Sequence, residues 1–135
     1  MKKILKTLVI LMVFSLTACT APRGFVAQPA GWNTVQMRKS VNHEKAWSIL
    51  VSVVSDDYDI EMMDSESGYL RTNWRQEGQG TQVWMTRIIG KVEINGTTRI
   101  KVESKYYDQI LARWVNGYNT FTTTKINDDL SGRLM

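Results

Sequence analysis

The chain has very few of the residues that enzymes use most often for metal binding and nucleophilic catalysis. Its 135 residues include one cysteine, Cys19, and one histidine, His43. These two side chains are too few for a zinc site of the usual four-coordinate kind. A Ser-His-Asp triad would have to use His43, and no serine lies in a Gly-x-Ser-x-Gly sequence. We therefore predict no catalytic residue, no metal site and no cofactor.

Long hydrophobic runs are also scarce, and the main one lies near the start. Residues 7–16 (TLVILMVFSL) follow three lysines and precede the small residues Thr17 and Ala18. A membrane-spanning helix needs about 20 apolar residues, so this run is too short to cross a bilayer. A buried core helix is the alternative, but the run has no polar face to turn to water. A basic start, an apolar centre and a small-residue end are typical of a secretory signal.

Leu16-Thr17-Ala18-Cys19 resembles the bacterial lipobox. The resemblance implies an S-diacylglycerol thioether on Cys19, cleavage just before it, and an N-palmitoyl group on the freed amine. A thiol suits this chemistry because its thiolate is a strong nucleophile. Two or three acyl chains anchor a protein almost permanently, whereas one binds only marginally. Thr20 follows the cysteine where an aspartate would favour inner-membrane retention, so we expect the periplasmic face of the outer membrane.

Cleavage would change the charge of the chain. The full sequence carries a formal net charge of +4, but residues 1–18 hold three lysines and no acidic residue. The remaining chain therefore carries +1, which removes the main compositional argument for a nucleic-acid partner.

The sequence divides into three parts. Residues 1–18 are the predicted signal peptide, and residues 19–31 are the predicted lipidated N-terminus and flexible tether. The tether contains both prolines and no periodic pattern. Residues 32–135 are long enough for one globular domain with a modest core.

The hydrophobic pattern predicts an α+β domain. A strand over residues 34–41 is followed by a helix over about 43–56, with Asn42 as N-cap. Apolar residues in this helix lie at helical spacing (Trp47, Leu50, Val51, Val54). Period-two patterns then predict strands over 58–62, 69–74, 83–93 and 97–106. Residues 114–125 resemble a last strand because they are β-branched and aromatic, and Asn127 or Asp128 caps a short final helix. We expect an antiparallel sheet of about five strands with one main helix on a face (β-α-β-β-β-β).

The turn Glu93-Ile94-Asn95-Gly96-Thr97 leaves two registers open. A two-residue loop would pair Val92 with Arg99 and mix apolar and charged residues on one face. A three-residue loop with a left-handed Gly96 would pair Glu93 with Thr97 and keep the faces separate. We favour the second, a type I turn with a glycine bulge.

The stretch AWSILVSVVSDDYDIEMMDSESGYLRTNW resembles the helix-grip domains of BamC-like lipoproteins. The matching positions are Ala46-Trp47, Ile60, Asp64, Gly68 and 69–74, and the resemblance covers about residues 35–106. It implies a lipoprotein accessory that binds partners in an envelope complex, with no catalytic residues to transfer.

Five tryptophans are many for this length. Trp47, Trp74 and Trp84 fit the predicted core, whereas Trp32 and Trp114 are candidate partner-binding aromatics because an exposed ring offers large area at low entropy cost. The acidic group Asp56, Asp57, Asp59 and Glu61 lacks the spacing and central glycine of an EF-hand, and we expect it to be solvated. His43 is also expected to be exposed.

These observations favour a non-enzymatic interaction or assembly module, anchored to the outer membrane by lipid and bound to an envelope protein. The aromatic residues raise one alternative, a module that binds peptidoglycan or another glycan.

Replacing the lipobox cysteine tests the anchor. Cys19→Ser should abolish lipidation and leave the precursor uncut, because serine cannot form the thioether. Metabolic labelling with a clickable palmitate measures the result. Equal labelling of the variant and the parent would contradict the lipoprotein assignment.

Overall fold

A computed structural model describes residues 21–78, 80 and 82–135. Two helices lie in this part of the chain, α1 (His43–Ser55) and α2 (Thr120–Leu134). Its eight strands are β1 (Phe25–Val26), β2 (Asn33–Gln36), β3 (Ile60–Asp64), β4 (Tyr69–Thr72), β5 (Arg75–Gln76), β6 (Trp84–Val92), β7 (Thr97–Asp108) and β8 (Arg113–Asn119).

All strands belong to one antiparallel sheet. The main order is β1-β8-β7-β6-β4-β3, while β2 pairs with β7 and β5 pairs with β6. Strands β2 and β8 follow one another along the same edge of β7: β2 pairs with residues 97–100 and β8 with residues 104–108. The long β6 and β7 are therefore the centre of the sheet.

Both helices cover the same face of the sheet. Helix α1 packs over β6, and α2 packs on α1 and over β2, β7 and β8. The core between the layers consists of fully buried aliphatic side chains from both helices and the central strands, among them Leu50, Val54, Leu70, Ile88, Ile100, Val102, Ile126 and Leu130. The opposite face has no helix over it among the described residues.

Helix α1 begins and packs as its sequence predicts. The Asn42 side chain accepts a hydrogen bond of 2.8 Å from the backbone N–H of Lys45, which satisfies one of the free donors of the first turn. Leu50 and Val54 are fully buried, and Trp47 and Val51 pack at the edge of the core. Opposite Leu50 the sheet carries Gly90, where a β-carbon would lie 2.9 Å from the leucine side chain. The glycine thus lets the helix approach the sheet closely.

The β6–β7 turn has the predicted three-residue form. The Glu93 N–H donates to the Thr97 carbonyl at 2.8 Å, and Val92 pairs with Thr98. Gly96 has φ +87°, the left-handed conformation that the bulged turn requires. The alternative two-residue loop is wrong.

The C-terminal part differs from the prediction. The last strand ends at Asn119 rather than continuing to residue 125, and α2 is 15 residues long rather than a short final helix. Asn119 is the N-cap instead of Asn127 or Asp128, since its side chain accepts from the N–H groups of Phe121 and Thr122. Burial of the helical stripe that ends at Leu134 outweighs the β propensity of the threonines.

The α+β class is confirmed, but the described residues form eight strands instead of about five, and the second helix is longer than the short C-terminal helix expected beside the main one. The first predicted strand, over 34–41, is the four-residue β2. The strand β1 lies inside the expected tether: Phe25 and Val26 pair with β8, and the Phe25 ring lies edge-on to Tyr106 at 4.8 Å. This part of the tether is therefore attached to the sheet.

Substitutions in the β6–β7 turn test its backbone conformation. A β-carbon at Gly96 would meet no atom within 4 Å, so Gly96→Val is strained only by its positive φ. We expect a loss of about 1–3 kcal/mol in unfolding free energy. Asn95→Ala removes only an exposed hydrogen bond from Thr97 and should cost less. Urea denaturation of residues 21–135, a span that keeps β1, measures both. A larger loss from Asn95→Ala would contradict the left-handed turn.

Candidate functional site

The sheet face turned away from the helices, here called the outer face, is rich in basic residues. Because side chains alternate along a strand, the residues between the buried positions of β6 and β7 project from this face. They include five cations: Arg87, Lys91, Arg99, Lys101 and Lys105. All five are half-buried, although alternation alone would leave Arg99, Lys101 and Lys105 pointing to water. Tryptophan rings contact four of these cations, and Lys91 lies beside Glu93.

Trp74 lies on the outer face and not in the core, so its predicted core position is wrong. Strand β4 pairs Arg71 with Ile89, whereas β5 pairs Arg75 with Thr86, a shift of one residue. A one-residue shift moves every following side chain to the other face of a sheet. The Trp74 ring consequently lies beneath the Arg87 guanidinium, 4.6 Å from the centroid, and the Lys105 ammonium, 4.4 Å from it.

Trp32 and Trp114, the two candidate binding aromatics, also lie on the outer face and are 41% and 42% exposed. Trp32 directly precedes β2, and its ring contacts Arg99 at 5.1 Å and Lys101 at 5.4 Å. Trp114 lies in β8, with the Lys105 ammonium 5.0 Å from its ring. The three rings and their cations therefore form one continuous surface, and each cation stacked on a ring is held by the electron-rich face.

Two carboxylates divide the cations into groups. Glu93 binds Arg99 and Lys91, and Glu103 binds Arg87 at 2.7 Å and Lys101 at 3.1 Å. Each carboxylate balances one of its two cations, and Lys105 contacts rings rather than an acid. Five cations and two carboxylates leave a local charge of +3.

The Glu103 carboxylate is held in its ionised form. Burial raises the pKa of Glu103, but hydrogen bonds and attraction from Arg87 and Lys101 outweigh this and leave the pKa below its ordinary value. The charge pattern of the outer face is therefore stable through the neutral pH range.

Two clefts lie on the outer face, on either side of Trp32. One, of about 330 Å³, is lined by Pro29, Trp74, Arg87, Lys101, Glu103 and Asn116. The other, of about 450 Å³, is lined by Trp32, Ser67, Tyr69, Lys91 and Arg99. The Trp32 ring separates the two clefts, because it contacts Lys101 of the first and Arg99 of the second. The ring is also accessible from the surface.

The acidic residues near the end of α1 form ion pairs. Asp57 binds Lys125 and lies 3.9 Å from Arg75, and Asp56 lies 3.7 Å from Arg133. Glu61 binds Arg71 at 2.8 Å. These pairs connect the end of α1 with α2, and β3 with β4. In the described ranges, no group of three or more His, Cys, Asp or Glu side chains is arranged to hold a metal ion.

His43, Trp47, Trp84 and Asp64 make local contacts within the fold. His43 is the half-buried first residue of α1, with its ring against Gly68. Trp47 packs against the core as predicted. Trp84 faces the same way as Ile88 but is only half-buried, and its indole N–H donates to Glu77 at 3.0 Å. Asp64 accepts from the Glu66 N–H within the β3–β4 turn.

The lipobox and Cys19 lie outside the described residues. No helix within residues 21–135 that the structure describes is long and apolar enough to cross a membrane.

Comparison of the chain with protein-family models and with curated proteins found no match. The resemblance to BamC-like helix-grip domains thus remains a prediction from the residues. The described geometry brings together three tryptophan rings and five cations on one face of the sheet.

The pH dependence of stability tests the role of Glu103. Because its folded pKa is depressed, Glu103 stabilises the fold above its ordinary value of 4.5, and this contribution is lost as the pH falls through the folded pKa. Glu103→Gln should lower the unfolding free energy by about 1 kcal/mol or less at neutral pH. It should also reduce the stability that is lost as the pH falls below about 5. Urea denaturation at several pH values measures it, with the exposed-turn variant Glu66→Gln as control. An unchanged acid dependence would show that Glu103 is not held in this way.

Proposed function

We propose that the protein is a non-enzymatic interaction module, anchored by lipid to the periplasmic face of the outer membrane, that binds an envelope component through the outer face of its sheet. The observation that carries the proposal is the group of three tryptophans on one face, each stacked with a cation. Trp and Arg are the residues most often enriched where binding energy is concentrated. The lipobox at residues 16–19 supports the anchor.

The charges of the outer face support binding rather than catalysis. Glu93 and Glu103 are each engaged by two cations, so neither is a free base. A general base must reach its proton in a substrate, and Glu103, whose pKa is lowered by its two cations, is a weak base.

The lipid anchor would keep this face near the membrane. Cys19 and the first residue of β1, Phe25, are six residues apart, a maximum span of about 20 Å. Because β1 pairs with β8, which carries Trp114, the same edge of the sheet connects the anchor to the binding face.

Two kinds of envelope component suit this module. The resemblance to BamC-like lipoproteins favours an envelope protein. The row of rings on the outer face favours a glycan, because the flat face of an aromatic ring packs against a sugar ring.

Site-specific photo-crosslinking in cells tests the binding face. A photo-reactive residue beside each ring, at Thr34 and Asn116, should capture an envelope component. Trp32→Ala or Trp114→Ala should reduce this capture several-fold because the ring contacts are lost. His43→Ala and Asp57→Ala should have no effect once each variant is shown to be folded, because these side chains contact Gly68 and the helix residue Lys125 rather than the outer face. Equal capture by all four variants, or loss only with His43→Ala, would contradict the proposal.

A further inference from the structure

The outer face has the length and shape of a site for an extended polymer. Outward residues of β7 run from Arg99 to Tyr107, a distance of eight residue steps or about 27 Å along the strand. Trp32 lies over the start of this row, Trp74 beside Lys105, and Trp114 edge-on to Tyr107 at 5.5 Å between ring centroids. Trp74 and Trp114 thus lie on either side of Lys105, and Trp32 lies toward the other end of the row, so the rings extend along the face rather than gathering at one point.

The cations along the same row are interrupted by acid. Successive outward residues of β7 are Arg99, Lys101, Glu103 and Lys105, so a carboxylate stands in the middle of the positive charges. A polymer with a phosphate on every unit would be repelled at Glu103. A polymer whose acidic groups are widely spaced could place them against the cations, and its hydroxyl groups could donate to the carboxylate.

The composition of the face also argues against a protein ligand. Lysine and glutamate are depleted from the centres of protein–protein interfaces. Here Lys101 and Glu103 line the cleft of about 330 Å³, and Lys105 lies between two tryptophan rings. Desolvating these groups against an apolar protein surface would be costly.

We infer that the outer face binds a strand of peptidoglycan, with its sugar rings against Trp32, Trp74 and Trp114 and its peptide carboxylates against Arg99, Lys101 and Lys105. The inference rests on the proposed function and names its ligand. The match is one of charge as well as shape: a face of net charge +3 meets a glycan whose peptide branches are acidic. Ring faces carry negative partial charge, which attracts the C–H groups of a sugar.

Binding by the lipidated full chain in detergent micelles tests the inference. The probe is soluble peptidoglycan strands that keep their stem peptides, and tryptophan fluorescence reports binding. Chitin oligosaccharides of similar length provide a neutral glycan, and a single-stranded oligonucleotide provides a polymer with a phosphate on every unit. We expect the peptidoglycan strands to bind at least about tenfold more tightly than either, and to bind more weakly as salt is added.

Variants of the face provide the second arm of the experiment. Trp32→Ala and Trp114→Ala should each weaken binding about tenfold. Lys105→Gln should weaken it severalfold and reduce the salt dependence. Matched controls are Phe121→Ala, an exposed ring on α2, and Lys39→Gln, an exposed lysine before α1, both of which should bind as the parent does. Circular dichroism confirms that each variant is folded.

The outcomes separate this inference from the proposed function. Equal binding of chitin, tighter binding of the oligonucleotide, or no effect of the tryptophan variants would overturn the peptidoglycan assignment. If the strands do not bind while crosslinks beside Trp32 and Trp114 capture an envelope protein, the assignment is wrong and the proposed function stands. If neither occurs, both are wrong.

Discussion

The nine-pair register between β6 and β7 is the constraint on which the rest of this structure depends. The three-residue turn sets it: with Glu93 opposite Thr97, the residues of β6 that are buried under the helices lie opposite the buried residues of β7. A shift of one residue would place the lysines and arginines under the helices and expose the aliphatic residues. The left-handed Gly96 therefore defines both the core and the outer face, although it contacts neither.

The sheet uses its two faces differently because only one is covered by helices. On the covered face, aliphatic side chains from both layers are fully buried. On the outer face, the tryptophans and the cations cover one another. Ile89 also projects from this side, yet it is only 7% exposed. The register shift between β4 and β5 adds the third ring by turning Trp74 outward. A sheet with perfect alternation would have buried that ring.

The sequence predicts the features that depend on local patterns. The helix cap at Asn42, the apolar stripe of α1 and the β6–β7 turn each follow from a few neighbouring residues. The features it does not predict depend on distant contacts. Strand β1 depends on the packing of Phe25 against Tyr106. Helix α2 depends on burial of its apolar stripe in the core, which the local propensity of its threonines does not predict. The core position predicted for Trp74 is wrong for the same reason: no turn signal marks the register shift beside Asn73, which follows only from pairing with β6. Alternation along the strands assigns Arg87 and Lys105 to the outer face. It does not show that both stack on the Trp74 ring.

The stacking of cations on rings bears on how such a face can bind. A lysine free in water must lose conformational entropy when it contacts a ligand, about 1.5–2 kcal/mol for a long side chain. Lys105 lies between Trp74 and Trp114, and Arg99 and Lys101 lie on Trp32, so part of this cost has already been met in folding. The same contacts hold the rings in place. Carboxylates that each bind two cations prevent the positive residues from repelling one another. The outer face is therefore an ordered array of rings and charges before any ligand arrives, which suits recognition of a long, weakly charged polymer through many small contacts.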